Sequence, residues 1–167
     1  MNKVNQKQKG LLGLEIALRS EHLPVSYVSS LLRVLQATLR EVGKDNDETR
    51  AVFSNQPWPS LVMSSRVTND EWILQLMFTE PQTATPMYEV SSQTFEAFLE
   101  HFRQFLKNLP QPGLWGKSMA IAPNEPYESE VIRRMDGLRQ ELRRFTRAIV
   151  SFRGQIIAIE GDQLQID

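Results

Sequence analysis

The stretch LGLEIALRSEHLPVSYVSSLLRVLQATLREV, residues 12–42, changes its hydrophobic period partway along. Leu12, Leu14, Ile16 and Leu18 alternate with Gly13, Glu15, Ala17 and Arg19, so one face of an extended strand is apolar. After Ser20-Glu21-His22-Leu23-Pro24, the residues Val28, Leu31, Leu32, Leu35, Leu39 and Val42 recur every three or four places. That spacing predicts a helix with one buried stripe. Pro24 suits the first turn of this helix, and Gly43 is placed to terminate it.

The same switch of period recurs downstream. Leu61, Met63, Ser65 and Val67 share one face of a second strand, and Trp72, Leu74, Leu76 and Phe78 one face of a third. Asn69-Asp70 between them has turn chemistry, so the pair reads as a β-hairpin. A surface loop over 80–90, with Pro81 and Pro86, leads to a helix that Ser91 or Ser92 can cap. Phe95, Phe98, Leu99, Phe102, Phe105, Leu106 and Leu109 form its apolar face, and Pro110 and Pro112 prevent continuation. A short fourth strand is expected over 118–122. Leu14, Ile16, Leu35, Leu74, Leu76, Phe98 and Phe102 are expected to meet in one core.

Strand, helix, strand, strand, helix, strand is the split β-α-β, ferredoxin-like order, here spanning the first ~120 residues. It predicts a first strand inside the sheet with a parallel neighbour. Topology of this kind carries no function. Beyond it, Val131, Ile132, Met135, Leu138, Leu142 and Phe145 make a third helical stripe. Short strands follow over 149–152, 155–160 and 163–166, divided by Arg153-Gly154 and Gly161-Asp162. The expected class is α+β: a mainly antiparallel sheet with a helical layer, plus a C-terminal helix and short β-strands. Residues 1–10 are expected to be a flexible N-terminal segment and 11–123 the α+β core. About 40 residues are too few for an independent domain, so 124–167 are expected to dock on that core as one domain.

Composition narrows the chemistry. The chain has 167 residues, 41% of them hydrophobic, with 19 basic against 20 acidic side chains. That balance gives no global field for nucleic acid or an anionic membrane. Cysteine is absent, which excludes disulfides, thiol nucleophiles and Cys-type metal sites and suits a cytoplasmic protein. The polar start MNKVNQKQKG predicts neither a signal peptide nor an anchor, and no apolar run approaches the ~20 residues of a membrane span.

Catalytic and ligand motifs are missing. His22 and His101 are the only histidines, so neither a metal cluster nor a Ser-His-Asp triad has many ways to form. Asp45, Asn46, Asp47 and Glu48 resemble the opening of a calcium loop, but the glycine is missing and the twelfth position is Gln56. No glycine-rich turn joins a strand to a helix to cradle phosphate. The expectation is therefore no enzyme, no cofactor and no metal.

Two features suggest partners. Between Glu128 and Arg153 stand seven arginines against four carboxylates, and Arg139, Arg143 and Arg147 are spaced one helical turn apart. A guanidinium fork suits carboxylate and phosphate, although arginine near a helix C-terminus also answers the helix dipole. Trp115, in Gln111-Pro112-Gly113-Leu114-Trp115-Gly116, is placed as an interface anchor. Trp58, in Pro57-Trp58-Pro59, is expected to fold back on the core. Together these predict a non-catalytic interaction or regulatory module, a small subunit of a larger bacterial-type assembly. Its partner would be a protein or a second copy, contacted through Trp115, Arg139, Arg143 and Arg147. The alternative is a nucleic-acid-binding protein using the arginine-rich helix face.

Overall fold

Strand β1, Leu14–Arg19, forms where the alternation places it, with Leu14, Ile16 and Leu18 buried. The computed structural model describes residues 13–109 and 128–167. The expected flexible segment 1–10 and the expected strand 118–122 lie outside the described residues. Helix α1, Val25–Asp45, buries the predicted stripe Val28, Leu31, Leu35, Leu39 and Val42. The Pro24 carbonyl accepts the Tyr27 and Val28 amides at 3.0 and 3.3 Å. A short helix α2, Arg50–Ser54, precedes the hairpin of β2, Ser60–Thr68, and β3, Glu71–Thr79. Helices α3, Tyr88–Lys107, and α4, Glu128–Leu142, come next. The chain ends in a meander of β4, Arg147–Phe152, β5, Gln155–Glu160, and β6, Gln163–Ile166.

All six strands join one sheet in the order β2-β3-β1-β4-β5-β6, every adjacent pair antiparallel. Ile16 stands level with Leu74 on one side and Val150 on the other. These side chains, with Leu76, Phe78, Phe152 and Ile157, form the inner face that the helices cover. Leu14, Ile16, Leu35, Leu74, Leu76, Phe98 and Phe102 do meet in this core. Four rings cross it, with centroids 5.1 Å apart for Phe53–Phe78 and 5.6 Å for both Phe78–Phe95 and Phe95–Phe152. They tie α2, β3, α3 and β4 together. Helix α4 lies against α1, where Ser30 Oγ donates to Glu141 Oε1 at 2.9 Å. On the outer face Glu15, Ala17, Ile73, Gln75, Ile149 and Ser151 lie in register, and no described element covers them.

The mixed helical and antiparallel architecture is the expected α+β class. The parallel neighbour expected for β1 is not present: both β3 and β4 run antiparallel to it. The crossover through α1 does return β2 in the direction of β1, but antiparallel β3 lies between them. The ferredoxin-like order of the first ~120 residues is not confirmed. The strand order differs, because the second neighbour of β1 comes from 147–152 and the sheet continues to six strands.

Three local expectations are also corrected. Gly43 does not end α1, which runs to Asp45. Instead it makes room for Phe53 of α2: a Cβ at 43 would stand 2.3–2.8 Å from that ring. Gly43→Ala is therefore expected to cost about 1–3 kcal/mol by overpacking, although alanine is the better helix former. Chemical denaturation measures this, and a stabilised variant would contradict the packing. Ser91 is no cap, since α3 begins at Tyr88. Its buried Oγ accepts the Phe78 amide at 3.0 Å, fastening the end of β3 to α3. Phe145 is buried but lies past the end of α4, in the turn before β4.

Candidate functional site

The arginine face foreseen for the third helix does not form. Helix α4 ends at Leu142, Arg143 follows in a turn, and Arg147 is the first residue of β4. Arg139 points inward and is fully buried. Its Nε and Nη2 donate to Asp136 Oδ1 at 3.0 and 2.7 Å, and Gln140 Nε2 donates to Asp136 Oδ2 at 3.0 Å. The structure brings neither Arg143 nor Arg147 to this pair: Arg143 meets Asp162 at 3.0 Å and Arg147 meets Glu160 at 4.0 Å. Arg133 and Arg134 both reach Glu130, Arg144 reaches Glu141, and Arg153 reaches Glu96. Each arginine from 133 to 153 thus has a carboxylate within 4.0 Å. Most of these pairs are exposed and add little stability, but they divide the seven arginines among six carboxylates. Trp115 lies outside the described residues. Trp58 is half-buried beneath Arg40 and Lys44, whose cationic groups stand 4.2 and 5.7 Å from its ring centroid.

Polar side chains gather in two open grooves. Asp45, Asp47, Glu48, Glu96, Glu100 and His101 line one between the end of α1 and the face of α3. Glu96 is already held by Arg153 at 3.0 Å. The second groove lies at the tip of the β2–β3 hairpin, where Arg19 and Glu71 pair at 3.4 Å beside Trp72 and Asp70. His22 is exposed and is not in the same groove as His101. Among the described residues no group of three metal-ligating side chains is found, and no helix is long and apolar enough to cross a membrane.

The most unusual surface is the outer edge of β2. Among the described residues the helical layer stops at β3, and β2 is exposed on both faces from Val62 to Thr68. Met63 and Val67, on the side that continues the core face, are 43% and 74% exposed; Val62 on the other side is 41% exposed. The backbone pattern follows from the turn. Thr68 and Glu71 flank the two-residue turn Asn69-Asp70 and are partners in an unbroken register. They must exchange hydrogen bonds directly, since the other antiparallel pattern would need bonds between the turn residues themselves. Counting back in twos, Ser60, Val62, Ser64, Arg66 and Thr68 direct their backbone groups at β3. Leu61, Met63, Ser65 and Val67 direct theirs away from the sheet. Among the described residues, only β3 pairs with β2.

A long bare edge is a pairing template that proteins ordinarily blunt with charge, proline, bulges or shortness. Strand β2 uses none of the last three and carries one charge, Arg66. The opposite edge, β6, is only four residues long with Gln163 and Gln165 exposed. The alternation of Leu61, Met63, Ser65 and Val67 locates this strand but suggests a buried face, which is what it lacks. Its signal lies in Ser65, small and polar where the core face of a central strand would carry a large apolar group. No protein-family model, curated protein or solved structure matches the chain.

Proposed function

We propose that this chain is a non-catalytic interaction module that engages another polypeptide by strand addition along β2. The observation that carries the reading is a nine-residue edge strand whose outward backbone groups have no partner among the described residues and whose Val62, Met63 and Val67 are exposed. In strand addition the main chain supplies affinity, and alternate side chains supply specificity. Both are available here. The arginines of 133–153 are divided among separate carboxylates instead of sharing one helix face, which supports β2 over the arginines as the interaction surface.

Ser65→Pro tests it. The Ser65 amide faces outward, so proline there removes a docking hydrogen bond without removing a bond to β3. Met63→Lys places a charge on the same edge. Tagged parent protein recovered from its cells at native salt is expected to retain a second chain, identical or different, in stoichiometric amount. Both variants are expected to lose it while keeping the parent's circular-dichroism spectrum and a cooperative unfolding transition, at a lower midpoint because the partner's contribution is gone. Retention of that chain by both variants would overturn the assignment to β2.

A further inference from the structure

We infer that the strand added to β2 is β2 of a second copy of this chain, paired antiparallel about a two-fold axis at Ser64. The inference rests on β2 being the interaction edge and adds who occupies it. Isologous pairing requires the edge to complement itself, and with the axis at Ser64 every outward-facing residue of β2 meets another outward-facing residue of the strand. With the axis at Ser64, Leu61 pairs with the partner's Val67, and Met63 with the partner's Ser65. All four outward-facing residues then exchange backbone hydrogen bonds, about eight in total across the two copies.

Neighbouring registers pair only three of the four outward-facing residues within the strand. An axis at Met63 sets Val67 opposite the partner's Pro59, which has no amide to donate. An axis at Ser65 sets Leu61 opposite the partner's Asn69, a turn residue with φ of 52° that cannot continue a strand. The remaining contacts also fit the axis at Ser64. On the side that continues the core face, exposed Met63 and Val67 join half-buried Leu61 and their symmetry mates in one apolar cluster. On the outer face Val62 lies beside the aliphatic stem of the partner's Arg66. The two Arg66 charges are four residues apart along the strands, roughly 13 Å, so no like charges face each other. An axis perpendicular to the sheet keeps both helical layers on the same side and runs one sheet through both copies.

The absence of cysteine makes the register directly testable. In Ser64→Cys the only disulfide that can form joins two copies. Facing residues of a non-hydrogen-bonded antiparallel pair have Cα atoms about 4.5 Å apart, inside the disulfide range. Under mild oxidation the full-length variant is expected to become a linked dimer at least ~10-fold faster than Ser60→Cys, whose mates stand roughly 27 Å apart. Sedimentation of the unmodified chain at about 100 µM is expected to give twice the chain mass, and Ser65→Pro and Met63→Lys to give the monomer. Equal cross-linking rates for the two cysteine variants would overturn the register. A monomeric parent would overturn the second copy; if Ser65→Pro still sheds a different chain in cells, strand addition at β2 stands without it. A dimer that persists in both edge variants would overturn both readings.

Discussion

Phe95→Ala is expected to lower the unfolding free energy by about 3–5 kcal/mol, the usual penalty for deleting a buried aromatic side chain. Phe95 has no exposed surface and contacts both Phe78 of β3 and Phe152 of β4. Its loss opens a cavity between the hairpin and the C-terminal meander, and flanking strands pinned by the sheet ladder cannot close it fully. The midpoint of urea unfolding at unchanged slope measures the effect. Phe105→Ala is the comparison: this residue of the same helix is only half-buried and should lose distinctly less. A loss at Phe95 below about 1 kcal/mol, the range of ordinary surface substitutions, would contradict the ring chain as a main support of the core.

Asp136→Ala should cost about as much, roughly 3–5 kcal/mol, for an electrostatic reason. It removes the carboxylate to which the buried Arg139 donates twice, leaving the guanidinium in the interior without this counter-ion. Replacing both partners, as in Asp136→Leu with Arg139→Met, removes the charge together with its counter-charge. It should recover most of the loss, since a buried pair often yields to apolar side chains of similar size at little cost. Unfolding free energies of the single and double variants check this. A double variant as unstable as Asp136→Ala would mean that the loss does not come from a stranded charge on Arg139.

Much of the secondary structure was legible before any tertiary information. The two-residue period of 12–18 and the helical period of 25–42 located β1 and α1, and Arg153-Gly154 and Gly161-Asp162 divided the final strands. These signals are local: a strand face or a helix stripe repeats at a spacing set by backbone geometry. Helix α2 was missed because it is five residues long, too short to show a period. The arginine face was misread because charge spacing along a chain holds only while the helix continues. The chain leaves α4 after Leu142, and one of the three arginines turns inward to Asp136.

The candidate site was legible only as a strand. Its alternating residues place β2, but whether their face is covered depends on where the helices lie, and no local signal reports that. The sequence by itself determined the hydrophobic periods, the turns and the supply of side chains for one core, because each depends on residues close along the chain. Tertiary structure alone decided the antiparallel neighbours of β1, the burial of Arg139 and the bareness of β2. Each of these depends on which distant segments share the sheet and how far across it the helical layer extends.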